Sequence, residues 1–150
     1  ATAVLARGRF DGGHALAEVR DIFVADGHGG ETNARIVKLS KDGTFIKAWR
    51  IDADPSSLHL LYIGVDRNIW TFDRSTHKLL KYDQQGHLLY AWGTLGSFPG
   101  ALWGVHGMST DPDGNLYVAE VDAGRFQKFR PRPGANSATL VSPPVYSAWR

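Results

Sequence analysis

The 150-residue chain contains no cysteine and only one methionine. Without cysteine it can form neither a disulfide framework nor a thiolate metal site, so a bound metal would need histidine and carboxylate ligands. No apolar run approaches the roughly 18 residues that a membrane-spanning helix requires. The N-terminal "ATAVLARGRF" lacks the order of basic, apolar and small residues of a signal peptide. We therefore expect no membrane partner, and the sequence assigns no compartment.

A large excess of charge of one sign is also absent. Seventeen basic residues are balanced by fifteen acidic ones, which leaves a net charge of +2. RNA-binding proteins usually carry a basic stripe, and the densest basic segment here is "GRFQKFRPRPG", with Arg125, Lys128, Arg130 and Arg132. Charges on an edge strand also suppress aggregation between sheets, which explains this segment without a ligand. Nucleic-acid binding through this basic edge is therefore the least favoured hypothesis.

What the chain does contain is an internal repeat. Residues 59–83 align without a gap with residues 106–130, at an offset of 47. An earlier copy fits if it is two residues shorter before its second strand and four residues longer in the loop that follows. The three copies cover approximately 14–50, 59–93 and 106–141. Residues 1–150 are therefore interpreted as one domain built from three similar units.

Each copy is predicted to contain four short strands, because apolar residues alternate with small or polar ones until Gly, Asp, Asn or Pro intervenes. Four antiparallel strands per repeat, without a helical period, predict an all-β fold of β-propeller blades. The predicted strands are "ALAEVR", "DIFVAD", "RIVKLS" and "FIKAWR"; "LLYIGV", "NIWTFD", "KLLKYD" and "LLYAWG"; and "GMSTD", "NLYVAE", "RFQKFR" and "ATLVS".

Several single residues repeat with the strands. The "DG" at 42–43 and the "QG" at 85–86 predict tight turns in which glycine adopts a positive φ. Trp49 and Trp92 lie near the end of the fourth strand, where we expect them to pack between blades. An acidic residue ends each second strand and is predicted to accept backbone N–H groups of the following turn. These acidic residues are Asp26, Asp73 and Glu120.

Three segments resemble NHL repeats. They are "DIFVADG" with "NARIVKLSKDGTFIKAW", "KLLKYDQQGHLLYAWG", and "GVHGMSTDPDGNLYVAEVDAGRFQKFRPRPGA". They are similar in particular to the bacterial six-bladed propellers related to the peptidyl-hydroxyglycine amidating lyase, over most of residues 14–141. The resemblance implies a six-bladed ring, of which three blades are half. It leaves function open, because NHL propellers include enzymes, ligand receptors, RNA binders and protein scaffolds.

The resemblance also implies a metal in the central channel, held by histidines at the start of innermost strands. His106 in "GVHGM" matches this histidine motif, and His59 in "SLHLL" matches in position without the preceding proline. His14 in "GGHAL" falls at the equivalent place of the first copy. His28, in the enlarged loop "GHGGETNA", occupies the position of the family's catalytic tyrosine, and the family's arginine motif has no counterpart.

The repeat register independently brings three histidines to one place. The first strand of each blade lines the axial channel, so His14, His59 and His106 would converge there and could hold zinc or another divalent metal with an open site. His28 could act as a general acid or base. The structural alternatives are channel histidines bound to water or backbone carbonyls, and a glycine-rich surface loop. His77 and His87, in connecting turns, are predicted to face solvent.

A half-ring would expose apolar faces between blades, and such patches mark interaction surfaces. We therefore expect a homodimer in which two chains pair about a two-fold axis and complete the six-bladed ring. Residues 2–7, "TAVLAR", are apolar enough to supply the outer strand of a blade begun by the C-terminal segment. The alternative is that the chain is a fragment of a longer polypeptide.

Three functions remain open. The first is a binding module that takes a small molecule, a peptide or a protein partner through its central channel and loops. The second is a metal-dependent lyase with metal on His59, His106 and His14, and with His28 as catalytic acid or base. The third is RNA binding through the basic edge.

Overall fold

The computed structural model describes residues 2–4, 21–27, 34–51 and 58–142, with only the backbone given for residues 2–4 and 59. This part of the chain contains short strands and one 3₁₀ helix, Ser137–Thr139. The strands are β1 (Thr2–Val4), β2 (Ile22–Asp26), β3 (Arg35–Leu39), β4 (Phe45–Arg50), β5 (Leu58–Ile63), β6 (Ile69–Asp73), β7 (Lys78–Tyr82), β8 (Leu88–Trp92), β9 (Val105–Thr110), β10 (Leu116–Glu120) and β11 (Arg125–Phe129). No helix in the described ranges has the length and apolarity needed to span a membrane.

The strands form three antiparallel sheets, each of which is one blade. Blade 1 contains β1 to β4, blade 2 contains β5 to β8 and blade 3 contains β9 to β11, with neighbours in chain order paired throughout. The innermost strands lie side by side, since β5 contacts both β1 and β9. The bounds of β5, β6 and β7 match those of β9, β10 and β11 at the predicted offset of 47. The all-β fold of propeller blades is confirmed.

The core lies between the blades, because neighbouring residues of a strand point to opposite faces of its sheet. On one face of β6, Ile69 packs in a cluster with residues of blade 1. On the other face, Trp70 and Phe72 pack in a cluster with residues of blade 3. All three side chains are fully buried. Each blade therefore depends on its neighbours for the burial of its apolar side chains.

The predicted packing of Trp49 and Trp92 between blades is confirmed. The Trp49 ring lies 6.4 Å from the Tyr82 ring of blade 2, and the Trp92 ring lies 5.3 Å from the Phe129 ring of blade 3. Gly43 and Gly86 both adopt a φ of 89°, as the predicted turns require. Gly86 has a second role, because a Cβ atom there would lie 2.7 Å from the Trp49 ring.

Blade 3 differs from the prediction at its outer edge. The segment "ATLVS" was expected to form a fourth strand, but residues 137–139 form the 3₁₀ helix, and the described part of blade 3 ends at β11. Two prolines at 131 and 133 lack the N–H group that a strand ladder requires. Asn136 then caps the helix by accepting a hydrogen bond from the Ala138 N–H at 3.0 Å.

The first blade also differs from the prediction. Residues 2–4 pair with β2 in blade 1, with Thr2 opposite Ala25, so they do not extend a blade begun by the C-terminal segment. The predicted innermost strand "ALAEVR" lies outside the described residues. Thr2–Val4 instead occupies the position of that strand beside β2.

Candidate functional site

The innermost strands place two of the predicted histidines at the same register position. His59 and His106 are the second residues of β5 and β9, which lie beside each other. The Tyr62 hydroxyl and the Thr110 hydroxyl, further along the same two strands, are 2.7 Å apart and join blades 2 and 3. The His106 side chain is exposed. The predicted register is therefore present for this pair of histidines.

The metal site itself stays a prediction. His14 and His28 lie outside the described residues, and only the backbone of His59 is described. Among the side chains that the structure does describe, no group of three histidine, aspartate or glutamate residues is arranged to hold a metal ion. Neutral imidazoles on adjacent strands are nevertheless a donor set that suits zinc.

The two turn histidines have different surroundings. His87 is exposed, as predicted, and its Nδ1 atom lies 2.7 Å from Asp83 Oδ2. The prediction for His77 is wrong, because its ring is partly buried and packs edge-on to Phe72 at 6.1 Å. Its Nδ1 atom is buried and has no hydrogen-bond partner among the described residues. A φ of 53° at His77 turns the chain so that the ring points into the blade.

A cleft of about 690 Å³ lies between the outer part of blade 2 and the segment that follows β11. Tyr90 and Trp92 of β8 line one side, and Phe129 with Arg130 and Arg132 lines the other. Its volume falls within the range of about 300–1,000 Å³ that is typical of small-molecule sites. The cleft was not predicted from the sequence, because its walls come from two different repeats.

The chemistry of the cleft is aromatic on one side and cationic on the other. Arg130 and Arg132 are exposed, and the side chain of neither makes a hydrogen bond or ion pair with another residue that the structure describes. A guanidinium group can bind a carboxylate or phosphate through two parallel hydrogen bonds. The cleft can therefore accept a ligand that joins an apolar or aromatic body to an anionic group.

Lys81 holds the segment after β11, which forms one side of this cleft, against blade 2. Its side chain is 2% exposed, and its Nζ atom donates hydrogen bonds to the carbonyl of Ala138 at 2.7 Å and to Asp66 Oδ2 at 2.6 Å. Burial alone would raise the pKa of Asp66, but hydrogen bonds from Lys81 and Asn68 lower the pKa below its ordinary value. The 3₁₀ helix is thereby attached to blade 2.

Lys81 also lies above the Trp70 ring, 5.4 Å from its centre. Lys38 lies above Phe23 in blade 1, and Lys128 lies above Tyr117 in blade 3, at the matching positions of β2–β3 and β10–β11. The repeat alignment contains this recurring pair of a lysine and an aromatic residue, so the sequence carried a signal for the position of Lys81.

Part of the basic edge is engaged in intramolecular contacts. Arg125 Nε donates to Glu120 Oε2 at 2.6 Å, and the same guanidinium donates to the carbonyls of Ser97 and Ala101 in the loop before blade 3. Lys128 Nζ lies 3.8 Å from Asp111 Oδ2. Two of the four basic side chains of the predicted RNA-binding edge therefore serve the fold of blade 3.

The acidic residues that end the second strands have two roles. Asp73 accepts the Ser75 N–H at 3.0 Å in the following turn, as predicted. Glu120 instead accepts the Trp103 N–H at 2.6 Å and the Arg125 guanidinium. Asp26 accepts from Arg35 Nε at 2.8 Å, at the position that matches Arg125. The predicted turn bond is thus confirmed for Asp73, and the turn that follows Asp26 lies outside the described residues.

No protein-family model and no curated protein sequence matches this chain. Solved structures do match. A selenomethionine-substituted virginiamycin B lyase from Staphylococcus aureus is 18% identical with a TM-score of 0.52, over 77% of this chain and 39% of that chain. A streptogramin B lyase is 12% identical with a TM-score of 0.52, over 75% of this chain and 38% of that chain.

The chain therefore spans well under half the length of these two structures. At such identities the similarity concerns the fold alone, and it supports neither membership of the NHL-repeat family nor the relation to the amidating lyase. The three sheets and these structural neighbours together establish the architecture. The chain is a set of blades of a β-propeller.

Proposed function

We propose that the chain is a β-propeller binding module that takes a small-molecule or peptide ligand through its loops and channel. The observation that supports this function best is the cleft beside Trp92, where two guanidinium groups without a described partner face an aromatic wall. A carboxylate bound by Arg130 and Arg132 would position the ligand, and burial of its apolar part against Trp92 and Phe129 would supply affinity.

N-acetyl-tryptophan, which combines an aromatic ring with a carboxylate, is a suitable probe for isothermal titration calorimetry. We expect saturable binding of the probe. We expect the Arg130→Gln, Arg132→Gln double variant to bind it at least about tenfold more weakly, because charge-assisted hydrogen bonds are lost. The uncharged N-acetyl-tryptophanamide should show the same loss with the unchanged protein. Lys41→Gln, in an exposed turn of blade 1, is the control for a change in net charge.

Two results would contradict the role of the cleft. One is equal affinity for N-acetyl-tryptophan and its amide, which would show that the guanidinium groups do not bind the carboxylate. The other is the absence of saturation at millimolar concentrations of both probes.

A metal-dependent lyase is the second candidate, favoured by the common register of His59 and His106 on neighbouring strands. These two residues, with His14, would hold zinc or another divalent ion, and His28 would act as acid or base. The metal would act as a Lewis acid and lower the pKa of a bound water. The side chain of His106 is exposed on the inner strand, where it is accessible to such an ion.

Metal analysis of protein purified without chelator tests this candidate. We expect about one equivalent of metal in the unchanged protein and a loss of most of it in the His59→Ala, His106→Ala double variant, because two of three ligands are removed. His87→Ala is the control, since His87 lies in an exposed turn and pairs with Asp83. Equal metal content in all three proteins, or none in the unchanged protein, would count against the channel site.

We also propose that two chains associate as a homodimer to form a six-bladed ring. The three described blades lie side by side, and the face of blade 3 that points away from blade 2 is not covered by another described blade.

RNA binding, the remaining candidate, would depend on Arg130 and Arg132, because Arg125 and Lys128 contact acidic side chains of blade 3.

A further inference from the structure

We propose that the open face of blade 3 binds blade 1 of a second copy of this chain. This inference rests on the proposed homodimer and names the surfaces that form it. The open face is defined by Tyr117 and Ala119 of β10, Phe126 of β11 and Gly107 of β9. It is the side of blade 3 that points away from blade 2.

The internal repeat identifies this face as one half of an interface between blades. Phe126 is 79% exposed, whereas the residues at the same repeat position, Ile36 in blade 1 and Leu79 in blade 2, are both 0% exposed. Ile36 and Leu79 are buried because a following blade covers them. Of the three equivalent residues Ile36, Leu79 and Phe126, only Phe126 is exposed to solvent, and a blade placed on this face of blade 3 would bury it.

The other positions of the face follow the same pattern. Ala119 is exposed, while its repeat equivalents Ala25 and Phe72 are 2% and 0% exposed. A shallow depression of about 460 Å³ lies between Gly107, Tyr117 and Phe126. Gly107 stands where blade 2 has the buried Leu60, so the depression has room for a side chain of a neighbouring blade.

Blade 1 carries the complementary surface. Blade 2 packs against blade 1 through a face that contains Ile69 and Leu80. The face of blade 1 at the same repeat positions, on the side away from blade 2, is also apolar. Its side chains are half-buried within the described part of the chain. They are Ile22, Val24, Val37 and Leu39. The chain therefore carries both halves of the contact that joins its own blades.

A contact between two different faces is head-to-tail, and it closes with two copies only if each copy spans half a turn. In such a ring blade 3 of each chain would cover blade 1 of the other. The contact would be built twice and would bury both copies of Phe126. The occupant that we assign to the open face is accordingly a second copy, and not a ligand of the cleft, which lies on the opposite side of blade 3.

Sedimentation velocity and light scattering test this inference. We expect twice the mass of one chain for the unchanged protein, and an increase of about 30-fold or more in the dimer dissociation constant for Phe126→Asp, because a charge would replace a central apolar anchor. Phe126→Leu, which introduces the residue of blade 2, should remain a dimer. Leu88→Asp is the matched control, because Leu88 is 51% exposed on the outer strand β8 of blade 2, which takes no part in the proposed contact.

Circular dichroism establishes that Phe126→Asp is folded, and Phe126→Ser is used in its place if it is not. A single-chain mass for the unchanged protein, a dimer that Phe126→Asp and Phe126→Ser leave intact, or masses that grow beyond two chains would each overturn the inference. Binding of N-acetyl-tryptophan by the Phe126→Asp monomer separates the two proposals. If the probe binds while the unchanged protein is monomeric, the binding function stands and the dimer falls.

Discussion

Replacement of Glu120 by alanine is expected to lower the free energy of unfolding by about 3–5 kcal/mol, because it removes the carboxylate that pairs with the partly buried Arg125 and leaves the Trp103 N–H without its acceptor. The Glu120 side chain is 0% exposed and accepts from Arg125 Nε at 2.6 Å. It also accepts from Gln127 at 2.8 Å and from the Trp103 N–H at 2.6 Å. Its loss would release the loop before blade 3 as well as the ion pair.

Urea denaturation measures this effect, and Asp122→Ala provides the comparison. Asp122 pairs with Arg74 at 2.8 Å on the surface, where an ion pair contributes about 1 kcal/mol or less. Similar losses for the two variants would show that the Glu120 network does not organise blade 3. Glu120→Gln, which keeps an acceptor for the Trp103 N–H, should lie between Glu120→Ala and the unchanged protein.

The pH dependence of stability gives a second readout of the same residue. Burial alone would raise the pKa of Glu120, but hydrogen bonds from Arg125, Trp103 and Gln127 hold the pKa below its ordinary value. The ionised carboxyl therefore stabilises the fold above its pKa in the unfolded chain, about 4.3, and this contribution is lost as the pH falls through the lower native pKa. Glu120→Gln should accordingly lose less stability than the unchanged protein between pH 5 and pH 3.

Replacement of Phe72 by alanine is expected to cost about 3–5 kcal/mol, because truncation of a fully buried ring leaves a cavity. Phe72 is 0% exposed and belongs to the cluster between blades 2 and 3, with Leu102 and Val105. The ring also packs edge-on to the partly buried His77 at 6.1 Å. The loss would therefore act on the contact that holds the two blades together.

Phe45→Ala is the matched control, because Phe45 is 64% exposed and a surface substitution of this kind usually changes stability by about 0.5 kcal/mol or less. Both variants are compared by the urea concentration at the midpoint of unfolding, at equal protein concentration. Equal midpoints would contradict the view that contacts between blades supply the core. A changed denaturant slope in Phe72→Ala would show that the substitution alters the surface exposed on unfolding or breaks the two-state transition.

The local pattern of the sequence predicted most of the blade. Alternation of apolar and polar residues sets which face a strand buries, and a turn such as that at Gly43 depends on a few adjacent residues. The offset between copies then placed His59 and His106 at one register position, which the strand bounds of β5 and β9 bear out. Recurrence also identified Trp49 and Trp92 as contacts between blades.

The cleft could not be predicted in the same way. Trp92 and Arg132 belong to different copies, and they line one cavity because the segment after β11 lies beside blade 2, where Lys81 donates a hydrogen bond to the Ala138 carbonyl. The sequence assigned Arg125 to a solvent-facing edge, but the loop that contains Ala101 folds back onto its guanidinium group. That loop has no counterpart in the repeat, so no comparison between copies could reveal the contact.

By itself the sequence determined the all-β class, the repeat and which residues occupy equivalent positions in its copies, because these follow from spacing along the chain. Only the tertiary structure decided which of those residues are covered. Leu79 and Phe126 have equivalent positions and similar chemistry, yet one is fully buried and the other is 79% exposed. Burial depends on a neighbouring blade that lies far away in sequence, and a local pattern does not encode its presence.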